Sequence, residues 1–202
     1  METAKKARDA GVGLFVFLSS MSVYGMDSGV ITSQTLPNPV TNYGRSKLQA
    51  EAALNELASE HFRVAILRPP MVYGKGCRGN FQTVIKLLQK SPVFPKIDNR
   101  RSLLYIDHLC AFVKLLADQN RGGLFFPKNR EDMRTDHMAQ VLAAQMGRKV
   151  FFSRLAGVGV GALRPFVRTA KKAFGSLVYE GTEEFDYCYC TVDNDESVRR
   201  SL

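Results

Sequence analysis

Short apolar runs and helical stripes alternate along the first third of the chain. Residues 14 to 18 are all apolar, as expected for a strand buried on both faces of a parallel sheet. A helix is predicted from about residue 43 to residue 59, and the segment from Arg63 to Leu67, which is apolar after its first residue, predicts a second strand. The order strand, helix, strand indicates a βαβ crossover and therefore an α/β fold with a parallel sheet.

Similar patterns continue as far as residue 147. The chain is expected to open with a helix over residues 2 to 10, and residues 25 to 42 form a loop rich in Gly, Asp, Ser, Asn and Pro. Residues 123 to 126 predict a short strand. Three further helices are predicted from apolar stripes, which comprise Phe81, Val84, Ile85 and Leu88; Leu109, Phe112, Val113 and Leu116; and Met138, Val141 and Leu142. These elements continue the α/β pattern without an internal repeat or a linker.

The composition is that of an ordinary globular protein. Of the 202 residues, 45% are hydrophobic and 23% are charged, and no window approaches the roughly 18 apolar residues that cross a membrane. A charged stretch before the first apolar run mimics a signal peptide, but the run is short and no small-residue cleavage site follows it. We therefore expect a cytoplasmic protein without a transmembrane segment.

The net charge of +9 suggests an anionic partner. Nucleic acid, an acidic membrane surface and a diphosphate-bearing substrate would all suit it, but the scattered basic residues favour the small anionic ligand. Nucleic acid is disfavoured because no recognised motif or interleaving of aromatic and basic residues is present. Residues 163 to 174 combine an apolar stripe with a basic face, which fits a membrane-surface helix or, preferably, a core-packed helix with a solvated face.

Cysteine and histidine are sparse, and no metal site is expected. The relevant residues are Cys77, Cys110, Cys188 and Cys190, with His61, His108 and His137. The last two cysteines form a Cys-x-Cys on an apolar segment taken as a strand, a spacing that does not suit tetrahedral metal binding. We expect buried free thiols.

Tyr43 and Lys47 form the pattern Tyr-x-x-x-Lys at the start of a predicted helix. Residues four apart share a helix face, and an ammonium beside a phenol stabilises the phenolate. Such a tyrosine can exchange a proton with a substrate hydroxyl, and Ser20, at the end of the preceding strand, can hydrogen-bond the same hydroxyl. The pattern also arises by chance at solvent-facing helix starts, so its weight comes from the surrounding strands.

Three ordered motifs resemble the extended short-chain dehydrogenase/reductase family, which contains NAD-dependent epimerases and dehydratases of the UDP-glucose 4-epimerase type. They are FVFLSSMSVYG at residues 15 to 25, NYGRSK at residues 42 to 47, and LRPPMVYGKG at residues 67 to 76. The resemblance implies NAD as cofactor and the catalytic residues Ser20, Tyr43 and Lys47. It further implies cofactor contacts from Ser19, Tyr43, Lys47, Pro69 and Pro70.

Two further segments resemble parts of the family that bind the substrate diphosphate. Asn80 lies where the sugar-nucleotide epimerases place an asparagine, although it fits a helix N-cap equally well. Arg101 opens the segment RSLLYID, and the corresponding arginine of the family contacts a substrate phosphate. The alternative for Arg101 is a surface charge beside Arg100. Asp107 is expected to cap the helix that follows.

The family's Gly-x-x-Gly-x-x-Gly turn, which binds the pyrophosphate, has no counterpart in this sequence. We expect a partial Rossmann-like sheet lacking its N-terminal half, with residues 1–75 as the second half of the NAD-binding domain. Residues 76–202 would form a small α/β nucleotide-sugar-binding region that returns partly to the sheet. The strand at residues 14 to 18 would then expose an apolar edge. This chain alone should bind NAD weakly and turn over little.

The resemblance favours epimerisation, most simply at C4 of a UDP-hexose or its N-acetyl form. The family's dehydratases carry an acidic pair just after the catalytic Ser or Thr, and Met21 and Ser22 occupy those positions. A reductase of a 4-keto nucleotide sugar and a non-catalytic module that binds a sugar nucleotide are the alternatives. The family commonly forms homodimers through the helix that carries Tyr43.

Overall fold

The computed structural model describes residues 1–77, 80–163, 175–182 and 185–202, with only the backbone described for residues 80 and 159–163. The helices of the described residues are α1 (Glu2–Asp9), α2 (Asn42–Asn55), α3 (Asn80–Lys90), α4 (Ile106–Asp118), α5 (Thr135–Gln145), α6 (Arg154–Leu163) and α7 (Asn194–Arg199). The strands are β1 (Leu14–Leu18), β2 (Gly29–Ile31), β3 (Arg63–Leu67), β4 (Met71–Tyr73), β5 (Val93–Pro95), β6 (Leu103–Tyr105), β7 (Gly123–Phe125), β8 (Phe151–Ser153) and β9 (Leu177–Tyr179). Short 3-10 helices lie at Met21–Tyr24 and Phe185–Tyr187.

The strands pair in parallel throughout the described residues, which confirms the predicted α/β class. The central sheet has the order β1-β3-β7, and β2-β9, β4-β6 and β5-β8 form two-stranded pairs. Strand β7, which lies well after residue 75, returns to the central sheet by pairing Ala65 to Leu67 with Gly123 to Phe125. The connection that brings β7 back beside β3 is a crossover between parallel strands, which is expected when helices cover both faces of a sheet.

Both faces of β3 are buried by helices. Ala65 and Leu67 pack with Phe112 of α4, whereas Val64 and Ile66 face the side covered by α1 and α2. A separate core packs α3 and α5 against β4, β5 and β6. Because β3 lies between two neighbours and two helical layers, its residues from Val64 to Leu67 form a continuous, buried apolar run, and only Arg63 at its start is exposed.

Strand β1 has the predicted bounds, but the prediction of full burial was wrong. Its first four residues are half-buried, and Leu18 is 44% exposed. The reason is topological, since among the described residues β1 pairs only with β3 and so forms an edge of the central sheet. The apolar edge expected from the sequence is therefore present.

Helix α2 begins within a residue of its predicted start and ends earlier than predicted. The Thr41 hydroxyl caps it by accepting a 3.0 Å hydrogen bond from the Gly44 amide. After Asn55 the chain turns to bring Phe62, only 1% exposed, under the sheet before β3 starts. The predicted apolar stripes of α3, α4 and α5 all face a core, with Val113 and Val141 at the margins.

The cysteines are free thiols, but the prediction that they are buried was wrong. Cys110 and Cys188 are exposed, and Cys77 and Cys190 are partly buried. The Cys-x-Cys lies in a turn after the 3-10 helix Phe185–Tyr187 instead of on a strand. Asp107 lies inside the first turn of α4, where its charge suits the helix dipole, while Tyr105 is the N-cap residue.

Residues 164 to 174 lie outside the described residues. They hold most of the segment whose apolar stripe and basic face suggested a membrane-surface helix or a core-packed helix. Across the described parts of the chain, no helix has the length and apolar character needed to cross a bilayer. The boundary predicted at residue 75 stays a prediction.

Candidate active site

A cleft of about 570 Å³ opens at the carboxyl ends of β1 and β3. This edge of a parallel sheet is where α/β folds bind their ligands, because the loops that follow neighbouring strands converge there. Seven of the residues predicted for the site line the cleft, namely Ser19, Ser20, Tyr43, Lys47, Pro69, Pro70 and Arg101. The remaining lining residues are Leu18, Met21, Ser22, Met26, Asp27, Met71, Val72, Leu109 and Leu177.

Ser20 is held as the N-cap of the 3-10 helix Met21–Tyr24. Its Oγ accepts hydrogen bonds from the backbone amide of Ser22 at 3.1 Å and from the hydroxyl of Ser22 at 2.9 Å. A hydroxyl has one proton and two lone pairs, so both acceptor positions of Ser20 are used and its own proton stays available. Ser20 is therefore prepared to donate a hydrogen bond to an oxygen in the cleft.

Helix α2 brings Tyr43 and Lys47 to the cleft. Its first turn lies close to the 3-10 helix, and a Cβ on Gly44 would stand 2.6 Å from the Ser22 carbonyl oxygen. The Lys47 ammonium donates a 2.8 Å hydrogen bond to the Leu18 carbonyl oxygen and lies 5.7 Å from the centroid of the Tyr43 ring. Tyr43 is 57% exposed, which leaves its ring open to a ligand.

Pro69 and Pro70 form an apolar, buried wall of the cleft directly after β3. Neither residue has a backbone N–H, so this stretch presents ring carbons and carbonyl oxygens. The Pro69 carbonyl oxygen accepts a 2.9 Å hydrogen bond from the Met21 amide, which ties the wall to the segment that carries Ser20. The wall can pack against a flat ring without competing for hydrogen bonds.

Arg101 is buried in the cleft, and the alternative of a surface charge was wrong. The residue is 9% exposed, and its Nη1 donates a 2.8 Å hydrogen bond to the carbonyl oxygen of Gly175. Its neighbour Arg100 is the surface residue, with ion pairs to Asp132 and Glu180. Arg101 therefore lines the same cleft as Ser20, Tyr43 and Lys47.

Asn80 is the first residue of α3, but its side chain and residues 78–79 lie outside the described residues. Neither the predicted contact with the substrate diphosphate nor the helix N-cap is tested by the structure. The assignment of Asn80 stays a prediction.

A buried polar network behind the cleft was missed by the sequence analysis. Arg68 Nη2 donates a 2.6 Å hydrogen bond to Glu51, and its Nη1 donates a 2.8 Å hydrogen bond to the Tyr24 hydroxyl. Burial lowers the pKa of Arg68, but the contacts with Glu51 and Tyr24 together outweigh it and raise the pKa overall, while burial raises the pKa of Tyr24. The spacing of Tyr43, Lys47 and Glu51, four residues apart on one helix face, was a usable signal for Glu51.

Sequence comparison agrees with the motifs that line the cleft. A model of the NAD dependent epimerase/dehydratase family matches residues 2–125, a span that contains the seven cleft residues predicted from the sequence. A UDP-glucose 4-epimerase of Vibrio cholerae is 32% identical over 154 residues, which cover 72% of this chain and 47% of that protein. A 4-epimerase of Escherichia coli O157:H7, named for an N-acetylglucosaminyl-diphospho-undecaprenol, is 30% identical over 52% of this chain and 33% of its own length.

Solved structures share the fold. UDP-glucuronic acid 4-epimerase from Bacillus cereus, in complex with NAD, superposes with a TM-score of 0.74 at 20% identity, covering 99% of this chain and 62% of that one. A dTDP-4-dehydrorhamnose reductase from Clostridium acetobutylicum gives 0.71 at 21% identity, covering 98% and 68%. The chain spans about half or less of the length of the curated relatives it matches. The family predicted from the three motifs is confirmed, and the chain belongs to the NAD dependent epimerase/dehydratase family.

Proposed function

We propose that this chain carries the catalytic residues of a nucleotide-sugar epimerase that inverts C4 of a UDP-hexose through a 4-keto intermediate. The observation that carries the proposal is the convergence of Ser20, Tyr43, Lys47 and Arg101 on one cleft beside the Pro69–Pro70 wall. Proton exchange, hydrogen bonding to an oxygen and phosphate binding can thus act on a single ligand. The sequence relatives named as 4-epimerases support the choice of C4.

The residues of the cleft fit one end of NAD. Lys47 and Tyr43 provide polar groups for the nicotinamide ribose, and the Pro69–Pro70 wall provides an apolar surface for the nicotinamide ring. NAD, when bound, supplies the removal and return of a hydride at the reacting carbon. The sequence contains no glycine-rich turn to bind the pyrophosphate, so we keep the expectation that the chain alone binds NAD weakly.

The proton chemistry is assigned to three side chains. Tyr43, as phenolate, accepts the proton of the substrate C4 hydroxyl when the carbonyl forms, and it returns that proton when the hydroxyl is restored on the opposite face. Lys47 stabilises the phenolate with its positive charge. Ser20 donates its free proton as a hydrogen bond to the same oxygen, since Ser22 already occupies its acceptor positions.

The proposed substrate and reaction rest on the positive charge of Arg101 and on the two non-acidic residues that follow Ser20. Arg101 is assigned to the diphosphate, because its planar donors match phosphate oxygens. Dehydration requires an acid that protonates a leaving hydroxyl, whereas Met21 and Ser22 follow Ser20 in this chain. Loss of water is therefore disfavoured relative to reversible oxidation and reduction at one carbon.

The proposal is tested by incubating the purified protein with NAD and UDP-glucose and following UDP-galactose by chromatography. We expect slow epimerisation when NAD is supplied at a concentration high enough for a weak site, and Tyr43→Phe should lower its rate by roughly a hundredfold or more, because the phenolic hydroxyl is lost. Tyr187→Phe is the matched control, since Tyr187 lies outside the cleft. Titration with NAD measures the expected weak affinity directly, and micromolar affinity would contradict that expectation.

Other outcomes identify the alternatives. Oxidation of NADH with a 4-keto nucleotide sugar, without epimerisation, would replace the proposal by a reductase. Binding of UDP-glucose that is indifferent to NAD and to Tyr43→Phe, without turnover, would indicate the non-catalytic module. Sedimentation of the same preparation measures whether two chains pair, which is expected to occur through α2.

A further inference from the structure

We propose that Ser19 and Glu51 are positioning residues, which hold Ser20 in register with helix α2. The inference rests on the proposed function for its kinetic consequence, but its structural consequence is independent of it. Ser19 was assigned to cofactor contact from the family resemblance, and Glu51 was given no role. The geometry points to a joint task for the two residues.

The contact between them is fully buried. The Ser19 hydroxyl donates a hydrogen bond to Oε1 of Glu51, and the two residues are 4% and 3% exposed. The Ser19 amide donates a 2.7 Å hydrogen bond to the Leu67 carbonyl oxygen on β3. Side chain and backbone of Ser19 are therefore fixed by different elements, which leaves the following residue, Ser20, little freedom.

Helix α2 forms hydrogen bonds to two consecutive residues at the end of β1. Lys47 donates to the carbonyl oxygen of Leu18, and Glu51, one helical turn further on, accepts from Ser19. A single hydrogen bond would allow the strand end to pivot, whereas two bonds one turn apart oppose both sliding and rotation. The helix that carries Tyr43 thus sets the position of the peptide that leads into Ser20.

Glu51 is itself immobilised. Both of its carboxylate oxygens accept from Arg68, with Nε at 3.1 and 3.2 Å and Nη2 at 2.6 Å. The Arg68 guanidinium is in turn bound to the Tyr24 hydroxyl, and the Arg68 carbonyl oxygen accepts a 2.7 Å hydrogen bond from Tyr179. A bidentate, buried ion pair of this kind has one geometry, so the acceptor offered to Ser19 is rigid.

A purely structural role predicts something different. If Ser19 only satisfies a buried carboxylate, its removal lowers global stability and leaves the local order of residues 20 to 24 unchanged. If it positions Ser20, removal loosens the 3-10 helix first. The amides of Met21, Ser22 and Val23 report this directly, since they bond to Pro69, to the Ser20 hydroxyl and to the Ser20 carbonyl, respectively.

The test compares Ser19→Ala with Ser201→Ala in the full protein. Ser201 is also buried, at 3% exposure, and its hydroxyl donates one hydrogen bond, to the Ser197 carbonyl oxygen; neither residue lines the cleft. Hydrogen–deuterium exchange of a peptide covering residues 19 to 24 is the primary measurement. We expect exchange there to be faster by about tenfold in Ser19→Ala, at conditions where both variants are folded, and unchanged in Ser201→Ala.

The kinetic measurement uses NAD and UDP-glucose. We expect kcat to fall by about tenfold in Ser19→Ala with KM changed less than about twofold, because reacting groups are misplaced while the substrate contacts remain. Unchanged exchange at residues 19 to 24, or the same effects in Ser201→Ala, would overturn the inference. If the wild-type protein shows no turnover, the proposed function fails, and the exchange measurement still decides the positioning role.

Discussion

The Lys47 ammonium donates a 2.8 Å hydrogen bond to the carbonyl oxygen of Leu18, the last residue of β1. The same ammonium lies 4.8 Å from the centroid of the Phe17 ring and 5.7 Å from that of Tyr43. One positive charge therefore joins the helix to the strand end and stands beside the proposed proton acceptor. The bond to Leu18 needs a hydrogen-bond donor of the right geometry, whereas the effect on Tyr43 needs a positive charge. Substitutions of Lys47 can therefore separate the two tasks.

Replacing Lys47 tests this double task. We expect Lys47→Met to lower kcat by roughly a hundredfold or more, since both the charge beside Tyr43 and the bond to Leu18 are lost. Lys47→Arg keeps the charge but not the compact geometry of an ammonium, and it should retain intermediate activity. Epimerisation with NAD and UDP-glucose is the measurement, and Lys86→Met, on the exposed side of α3, is the control. Full activity of Lys47→Met would exclude the assigned role.

Ser20 and Ser22 should behave as one unit in a double-mutant cycle. Ser20→Ala removes the donor to the substrate oxygen and is expected to cost roughly a hundredfold in kcat. Ser22→Ala removes one of two donors that orient Ser20, so a loss of about three- to tenfold is expected. The double variant should be no slower than Ser20→Ala, because Ser22 acts through Ser20. Independent, multiplicative losses would show that Ser22 acts on the substrate itself.

The pair of Glu51 and Arg68 should show strong coupling in stability. Removing one partner leaves a buried, unpaired charge, so we expect Glu51→Leu or Arg68→Met to cost about 3–5 kcal/mol in urea unfolding. The double variant should lose less than the sum, and less than the worse single variant, because no charge is left unpaired. Lys114→Met breaks the exposed pair with Asp118 and should cost less than about 1 kcal/mol.

Gly44 tests the close approach between α2 and the 3-10 helix. Gly44→Ala would put a Cβ 2.6 Å from the Ser22 carbonyl oxygen and 3.0 Å from Pro39. The backbone has to shift to relieve this contact. We therefore expect Gly44→Ala to lower the free energy of unfolding by about 1–3 kcal/mol and to slow epimerisation. Gly13→Ala is the matched control, because its Cβ meets only the Asn120 side chain at 3.8 Å. Thermal unfolding that ranks the two variants equally would contradict the expectation.

The sequence predicted those parts of the fold that have long patterns. The five-residue apolar run at residues 14 to 18 and the four-residue run at residues 64 to 67 predicted β1 and β3 with correct bounds, and the stripe from Phe81 to Leu88 predicted α3. The three-residue strands, such as β4 and β9, were missed apart from β7, because three residues do not show a period and their pairing partners are distant in sequence. Local pattern is therefore informative only where it is longer than one helical turn or a few strand residues.

The candidate site shows a similar division. Ser20, Tyr43 and Lys47 were found because motif spacing places them at strand and helix ends that the fold brings together. The partner of Ser19 was not found, since the contact with Glu51 joins residues 32 positions apart. Burial of Arg101 depends on residues near position 175, which no local feature of its own segment reveals. Such contacts are tertiary consequences of the topology.

His108 is buried with both ring nitrogens engaged. Nδ1 lies 3.0 Å from Asn129 Oδ1, an acceptor, and Nε2 lies 3.4 Å from the Val192 amide, a donor. These partners fit the neutral ring with its proton on Nδ1, and a second proton on Nε2 would face the amide hydrogen. Burial is the main cause that lowers the pKa of His108 below the usual 6.5, against weaker opposing effects of Asn129 and Asp107.

This lowered pKa makes stability depend on acidity in a defined direction. The unfolded chain takes up the proton more readily than the folded one, so stability is complete above about pH 6.5 and is lost as pH falls through the folded pKa. We expect the urea midpoint to drop between pH 7 and pH 5 more in the wild type than in His108→Gln, which cannot protonate. His61→Gln, at an exposed position, should follow the wild type. Parallel pH curves for the wild type and His108→Gln would show that His108 does not contribute.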